Sequence, residues 1–170
     1  KALENLNTNF KGFLYAGLMI IEDEPYLIEY NVRMGDPECQ TILPRLKTNF
    51  LEIVEATINQ KLNQIDVDWS DTKTLSIVQC SKGYPGKYKK NSRISNLNLI
   101  NYSKNDYIYH AGTKLFNQEI RTNGGRVLNI TSVGDSFSKI RKKIIKIIKK
   151  INWKDGFYRK DIGWKVINKK

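Results

Sequence analysis

Short apolar blocks separated by turn-forming residues dominate the first 60 residues of the chain. Residues 11–21 (KGFLYAGLMII) are almost all apolar and predict a mostly buried strand. Residues 22–25 (EDEP) carry three acids and a proline and predict a turn, and residues 26–31 (YLIEYN) predict a second strand. We therefore expect an antiparallel hairpin near the start of the chain.

Two helices are predicted after this hairpin. Residues 33–38 (RMGDPE) predict a loop, in which Gly35 permits a positive φ and Pro37 suits the first turn of the next helix. Residues 39–46 predict a short helix. Asn49, followed three residues later by a glutamate, predicts the cap of a second helix. Its expected apolar face consists of Phe50, Ile53, Val54, Ala56 and Ile58 and runs on to Leu62.

A polar stretch, residues 63–72, predicts a linker, and strand signals dominate after it. Ser136 is expected to cap a long helix that runs to about Asn152. Strands followed by one helix predict an α+β unit: a small, mostly antiparallel sheet covered by that helix. We place the domain boundary between residues 66 and 67. The expected strands cover residues 74–80, 107–111, 113–116, 120–122 and 126–133, with a tight hairpin turn at Gly124-Gly125 before the last.

The long helix is basic and amphipathic. Residues 139–150 (KIRKKIIKIIKK) hold seven basic residues and no acid, and isoleucines form a wide apolar stripe on the other face. Such a helix can lie on a membrane or bind a partner, or it can pack on a sheet. The preceding strands need a cover, which favours packing on the sheet.

Composition and charge add three points to this picture. The 170 residues carry a net charge of +12, but lysine (22) far exceeds arginine (7), whereas recognition of bases and phosphates favours arginine. We therefore interpret most of the charge as a solvated lysine surface. The longest apolar run has nine residues, and a membrane span needs about 20. Two cysteines, Cys39 and Cys80, provide no disulfide framework, which suggests a reducing, cytoplasmic setting.

Candidate chemistry lies at the end of the hairpin. In a strand, Glu29, Asn31 and Arg33 point to the same face. Carboxylate and amide oxygens suit Mg²⁺, which takes its other ligands from water and phosphate, and a guanidinium suits a phosphate. A polar outer face of an edge strand is the other interpretation. Asp36 and Glu38 follow at a helix start, where they can stabilise the helix or meet a substrate.

Five motifs carry a resemblance to a known family. They are residues 12–44, 81–86 (SKGYPG), 110–113 (HAGT), 124–128 (GGRVL) and 158–163 (YRKDIG). In this order they resemble the C-terminal portion of the phosphoribosylamine–glycine ligase family, also called glycinamide ribonucleotide synthetases, in the ATP-grasp superfamily. The resemblance implies that residues 1–66 are the C-terminal part of an ATP-grasp domain and that residues 67–170 are the C-terminal domain of these ligases.

The resemblance also implies an activity. Such ligases join glycine to 5-phospho-β-D-ribosylamine in purine biosynthesis, with ATP as co-substrate and through a glycyl phosphate intermediate. If the roles of the family's site residues hold at the matching positions of this chain, Glu29 and Asn31 would ligate Mg²⁺ or Mn²⁺. Arg33 would neutralise charge on the transferred phosphoryl group. The glycine and ribosylamine side would be lined by Gly35, Asp36 and Glu38. Met19 would place apolar surface under adenine.

The family's enzymes are about two and a half times as long as this chain. The chain opens with Lys1, and the resemblance leaves out the amino-terminal domain and the subdomain that carries the lid over ATP. We therefore expect it to be part of a longer enzyme and inactive alone. The strand that includes residues 15–19 (YAGLM) has no acid, although many ATP-grasp enzymes carry a metal ligand there. We expect a metal site with fewer protein ligands.

Two other functions stay open. One is another ATP-grasp carboxylate–amine ligase, and the other is a nucleic-acid-binding module built on residues 139–150. No aromatic residue is interleaved with those lysines, which argues against binding of single-stranded nucleic acid. His110 is interpreted as a structural residue at a strand end. Gly124-Gly125 fits a turn better than a phosphate cradle.

Overall fold

The computed structural model describes residue 5 and residues 10–100 and 103–167, which form two compact units. The first unit comprises the chain up to Cys39 together with Leu46–Ser70, and the second comprises Gln40–Arg45 and the chain from Asp71. The domain boundary predicted after residue 66 stays a prediction. No helix among the described residues is long and apolar enough to cross a membrane.

The first unit is built on an antiparallel hairpin of β1 (Tyr15–Ile21) and β2 (Glu24–Asn31). Its turn is only two residues long, since Glu22 and Asp23 both have positive φ, the geometry that a tight hairpin turn requires. The turn predicted over residues 22–25 is therefore wrong by two residues, because residues 24 and 25 already pair with β1.

The predicted burial of the first strand is also wrong. Four consecutive apolar side chains of β1, at residues 18–21, are each more than half exposed. Successive side chains of a strand point to opposite faces, so exposure of all four means that both faces of the two-stranded sheet are open here within the described part of the chain. The strand also begins four residues later than predicted, at Tyr15.

The helices that follow are short. α1 (Glu38–Ile42) passes into a 3-10 turn, Leu43–Arg45, which contains Pro44. α2 (Phe50–Ile58) is capped as predicted, because Oδ1 of Asn49 accepts a hydrogen bond from the backbone N–H of Leu51 at 2.9 Å. α2 ends at Ile58 and does not reach residue 62.

The described residues of the second unit form two antiparallel sheets. The larger has the strand order β5–β8–β3–β9 and the smaller has the order β4–β7–β6. The strands are β3 (Lys73–Ser81), β4 (Arg93–Ile94), β5 (Asp106–His110), β6 (Thr113–Phe116), β7 (Glu119–Thr122), β8 (Arg126–Gly134) and β9 (Gly156–Phe157).

The turn at Gly124-Gly125 joins β7 to β8, which belong to different sheets, so the predicted hairpin is wrong and the turn is a crossover. Close packing explains why glycine is needed there. A Cβ on Gly112 would lie 2.7 Å from the Cα of Gly124, and a Cβ on Gly125 would overlap the ring of Tyr84. Gly112 and Gly124 therefore allow two chain segments to come close together, and Gly125 leaves room for the ring of Tyr84 at the crossover between the sheets.

The long helix α3 (Phe137–Lys150) packs on β8 and β3. Its buried stripe, Ile140, Ile144, Ile147 and Ile148, joins a core with Ile77, Leu128 and Ile130. Burial of each such side chain contributes about 1.5–3 kcal/mol. The predicted sheet-covering role and the α+β class are thus confirmed. Ser136 lies at the N-cap, but its side chain makes no capping hydrogen bond, so that part of the prediction is wrong.

The chain after α3 departs from the closing strand predicted over residues 158–163. The strand pairing there is made by β9, and residues 160–163 form a turn before a short helix, α4 (Trp164–Ile167). Arg141 holds this turn, because its Nε donates to the carbonyl oxygen of Ile162 at 2.9 Å. A side chain of α3, rather than a strand, therefore docks this segment.

A buried carboxylate links three elements of the second unit. The side chain of Asp106 is 1% exposed and lies 2.8 Å from Nζ of Lys143 on α3. It also accepts hydrogen bonds from the hydroxyl of Ser132 on β8 and from the hydroxyl and backbone N–H of Ser103. Burial alone raises the pKa of this carboxyl, but the hydrogen bonds from Lys143, Ser132 and Ser103 outweigh burial and lower it.

Candidate functional site

Glu29 and Asn31 lie together at the end of β2. Their side chains project from the same face of the strand, and Nδ2 of Asn31 donates to Oε1 of Glu29 at 2.9 Å. Glu29 is exposed and Asn31 is half-buried. The pair therefore places a carboxylate and a carboxamide side by side at an accessible strand end.

Arg33 does not continue this row. β2 ends at Asn31 because β1 begins at its partner, Tyr15, so Arg33 lies in a bend beyond the sheet. The prediction that Glu29, Asn31 and Arg33 share one strand face is wrong for the arginine. Its Nη1 donates to the carbonyl oxygen of Met34 at 3.0 Å, and it forms no ion pair with any residue that the structure describes. The exposed guanidinium keeps donors for an anion.

Gly35 and Glu38 form one structural feature. Gly35 is buried, and its carbonyl oxygen accepts from the backbone N–H of Cys39 at 2.9 Å, at the start of α1. A Cβ on Gly35 would lie 2.8 Å from Cδ of Glu38 and overlap its carboxylate. The positive φ expected at Gly35 is not found. The glycine instead makes room for the Glu38 side chain, which folds back over it.

Asp36 lies between them, in the turn that leads into α1. It is half-buried, and its negative charge adds to burial in raising the pKa of the Cys39 thiol. The structure thus places Gly35, Asp36 and Glu38 in one short segment, as the sequence motif requires.

Tyr15 connects the strand end to the helix start. It pairs with Asn31 in the hairpin, and its hydroxyl donates to Oε1 of Glu38 at 3.3 Å. The negative charge of Glu38, together with burial, this hydrogen bond and the charge of Glu29, raises the pKa of the phenol. Both carboxylates therefore lie close enough to act on one hydroxyl.

Sequence reasoning missed Tyr15 as a site residue. The two-residue turn at residues 22 and 23 would by itself place residue 15 opposite residue 30. The irregularity in the pairing between Gly17 and Leu18 shifts the register by one, so that Tyr15 lies opposite Asn31. The four-residue turn expected from the acids and the proline gives a different register, and no sequence signal marked the irregularity.

Gly17 provides the space in which this group is packed. It lies opposite Glu29, beside an irregularity in the strand pairing. A Cβ at this position would lie 3.1 Å from Cγ of Glu29 and 3.7 Å from the ring of Tyr15. The Glu29 side chain thus packs closely against the one residue of β1 that has no side chain of its own, with the Tyr15 ring in ordinary contact beside it.

The group fits a hard divalent cation on the chemistry of its donors. Glu29 offers carboxylate oxygens and Asn31 a carboxamide oxygen, both of which suit Mg²⁺ or Mn²⁺. The described residues contain no cluster of three or more histidine, cysteine, aspartate or glutamate side chains that could hold a metal ion.

The remaining predicted residues lie apart from this group. Met19 pairs with Tyr26 further along the hairpin and is 51% exposed. In the second unit, His110 ends β5, and its Nδ1 lies 2.9 Å from Oγ1 of Thr113, a contact that joins the ends of two successive strands.

Two family models match the chain in order. Residues 1–39 match the model described as the ATP-grasp (A) domain of phosphoribosylglycinamide synthetase, and residues 74–165 match the model of its C domain. The second match alone covers more than half of the chain.

Curated proteins and a solved structure give the same result. The chain is 45% identical over 162 residues to the phosphoribosylamine–glycine ligase of Caldanaerobacter subterraneus, and 43% identical over 164 residues to that of Fusobacterium nucleatum. These alignments cover 95% and 96% of the chain but 38% of each relative. A crystal structure of phosphoribosylamine–glycine ligase from Thermotoga maritima superposes with a TM-score of 0.80 at 29% identity, over 95% of this chain and 39% of that one.

Proposed function

The chain belongs to the phosphoribosylglycinamide synthetase family, and from this membership we propose that it is part of a carbon–nitrogen ligase. The proposed enzyme joins glycine to 5-phospho-β-D-ribosylamine and converts ATP to ADP and phosphate. The observation that carries the proposal is the group formed by Tyr15, Glu29, Asn31 and Glu38, which lies within the residues that match the ATP-grasp model.

We assign the metal-binding role to Glu29 and Asn31. A bound Mg²⁺ or Mn²⁺ would supply charge neutralisation at phosphate oxygens of ATP. Gly17 lets the Glu29 side chain cross the strand toward this position. Arg33, exposed and without an ion pair among the described residues, would bind the negative charge of the transferred phosphoryl group.

The substrate-side roles fall to the segment with Gly35, Asp36 and Glu38. The hydrogen bond from Tyr15 limits the orientations of the Glu38 carboxylate, so this carboxylate would meet the amine of glycine or of the ribosylamine in a fixed position. Met19 offers exposed apolar surface, which would lie against adenine.

The chain spans about two fifths of the length of the relatives it matches, and we propose that ligation requires the longer protein. The apolar side chains exposed on both faces of the hairpin support this view, because such a surface is normally covered. The partners in turnover would be ATP, glycine, 5-phosphoribosylamine and the N-terminal part of the same enzyme. A cytoplasmic location fits a chain with two free cysteines.

The metal assignment can be tested on this chain by NMR. We expect Mn²⁺ to broaden the amide signals of Glu29, Asn31 and Tyr15 selectively, and we expect Glu29→Gln to abolish the selective broadening. Glu24→Gln, an equal change at the other end of β2, is the matched control and should leave it intact. Selective broadening that survives Glu29→Gln would rule out the assignment.

The ligase assignment needs a separate assay. We expect glycine-dependent release of ADP from a longer protein that contains this segment, and none from the 170-residue chain. Glu29→Ala in the longer protein should abolish turnover with the fold intact by circular dichroism. Normal turnover by the 170-residue chain alone would contradict the proposal that it needs the longer protein.

The open alternatives receive less support. The family descriptions and the relatives named above are those of phosphoribosylamine–glycine ligases, which disfavours an ATP-grasp ligase with another acyl substrate. The apolar stripe of α3 is used in the core, so only its lysine face is left for a nucleic acid. Binding of DNA that weakens steeply with salt would favour that alternative.

A further inference from the structure

Positive charge is concentrated in a part of the second unit to which no role has been assigned above. Between Asp71 and Asp106 the sequence contains no acid and seven basic residues. Four of these are lysines within nine residues, 82–90 (KGYPGKYKK), which we call the lysine loop. The loop leaves β3 and leads toward β4.

The start of the lysine loop is anchored at several points. The backbone N–H of Ser81 donates to the carbonyl oxygen of Gly125 at 2.8 Å, and its hydroxyl donates to that of Gly124 at 2.9 Å. The backbone N–H of Lys82 donates to the carbonyl oxygen of Asp155 at 2.8 Å. The backbone N–H of Tyr84 donates to the carbonyl oxygen of Ser81 at 3.0 Å. The loop therefore has a defined backbone conformation at its base.

The lysine loop also closes on itself. Gly83 has φ +100°, and a Cβ there would overlap the carbonyl oxygen of Lys87. This close approach brings the backbone next to Lys82 against that of Lys87. The rings of Tyr84 and Tyr88 meet edge to face with their centres 6.2 Å apart, so an aromatic contact also lies within the loop.

Among the described residues, few negatively charged groups lie near the four lysine side chains. Nζ of Lys89 lies 4.0 Å from Asp155, and Nζ of Lys90 lies 6.0 Å from the ring centre of Tyr88. Lys82 and Lys87 are exposed and form no ion pair with the residues that the structure describes. Like charges gathered in a closed loop repel each other, and a bound anion removes that cost.

We propose that the lysine loop binds a phosphate monoester, with Lys82 and Lys87 as its principal contacts. A phosphate monoester carries close to two negative charges at neutral pH, and lysine binds phosphate as a compact point charge. Two flexible lysines on a closed loop suit one small phosphate group better than an extended backbone of many phosphates. The proposal concerns residues that have no part in the proposed metal and substrate roles, and it does not depend on them.

The test is an NMR titration of the 170-residue chain at low salt. The probes are ribose 5-phosphate, ADP without metal, inorganic phosphate and ribose, which distinguish a sugar phosphate, a nucleotide and a free anion. We expect saturable shifts at the amides of Lys82, Gly83 and Lys87 with phosphate-bearing probes and none with ribose. The double variant Lys82→Ala/Lys87→Ala should weaken binding by about tenfold or more, because two charge-assisted contacts are lost.

The matched control removes the same charge elsewhere. Lys142 and Lys146 are exposed on α3, so Lys142→Ala/Lys146→Ala lowers the net charge by the same amount. We expect this variant to keep its affinity within about twofold when the titration is repeated in about 0.15 M salt, where exposed charges more than about 8 Å apart are largely screened. Equal weakening in both double variants would show a general charge effect and overturn the proposal, as would the absence of saturable shifts with all three phosphate-bearing probes.

A second variant separates charge from fold. Lys82→Arg/Lys87→Arg keeps both charges and should retain most of the affinity, whereas the alanine variant should show the thermal unfolding midpoint of the wild type. Loss of affinity in the arginine variant to the level of the alanine variant would also contradict a site built on charge.

Discussion

The buried carboxylate of Asp106 offers the sharpest test of how the second unit is held together. Its side chain accepts from Lys143 on α3, from Ser132 on β8 and from Ser103 before β5. These contacts join the helix to two adjacent strands of the larger sheet. We therefore expect Asp106→Ala to destabilise this unit.

The size of the loss in stability depends on how well the groups that contacted Asp106 can be hydrated after the substitution. Ser132 is 0% exposed, so its hydroxyl loses its acceptor without gaining water, at a cost of about 1–3 kcal/mol. The side chain of Lys143 is 42% exposed and can be hydrated, so loss of its ion pair with Asp106 adds only about 0–1 kcal/mol. We expect a total loss of about 1–4 kcal/mol in the free energy of unfolding.

The effect should depend on pH in a defined direction. The pKa of the Asp106 carboxyl is lowered in the folded protein from its ordinary value of 3.8. The stabilisation is therefore fully present above about pH 4 and is lost as the pH falls through the lowered, folded-state pKa. The difference between wild type and Asp106→Ala should be constant from pH 7 to 5 and narrow in stronger acid.

Urea unfolding measures both effects. The fluorescence of Trp153, which is 7% exposed and belongs to the same unit, reports on unfolding together with circular dichroism. Asp135→Asn, at an exposed aspartate of this unit, is the control and should change stability by less than about 0.5 kcal/mol. An Asp106→Ala variant that loses less than about 0.5 kcal/mol, or whose loss of stability relative to wild type does not become smaller in acid, would show that this carboxylate does not hold α3 to the sheet.

Two further predictions concern single contacts. Glu38→Gln should bring the pKa of Tyr15 back toward its ordinary value of 10.0, because the charge of Glu38 is the largest cause of its rise; an NMR titration of labelled tyrosine would show this, and an unchanged pKa would contradict it. Gly125→Ala should cost about 1–3 kcal/mol in urea unfolding, because the new methyl overlaps the ring of Tyr84; wild-type stability would mean that the ring moves without cost.

Elements with strong local signals were predictable from the sequence. α3 was predicted because its isoleucines recur at helical spacing and need a sheet to cover. The α2 cap was predicted because the side chain of Asn49 has one nearby N–H to accept from. In both cases the physics that forms the element acts within a few residues of the signal.

Two of the errors arose where the deciding partner is distant in sequence. Gly124-Gly125 has the composition of a hairpin turn, but the choice between a hairpin and a crossover depends on which sheet β7 joins, and β7 pairs with β4 and β6. The apolar block in β1 predicts burial, but composition does not specify the body that covers it. The chain spans about 38% of the relatives it matches, and such a cover need not lie within it.

The candidate site shows the same division between local spacing and distant contact. The alternation of β2 was enough to place Glu29 beside Asn31, because it involves one strand. Glu38 joins this group through Tyr15, 23 residues earlier in the chain. The glycines mark this joining: Gly17 leaves room for Glu29, and Gly35 leaves room for Glu38. A methyl group on Gly35 would overlap the Glu38 carboxylate, and one on Gly17 would crowd Cγ of Glu29, so both glycines are tied to the candidate site through the side chains that they admit.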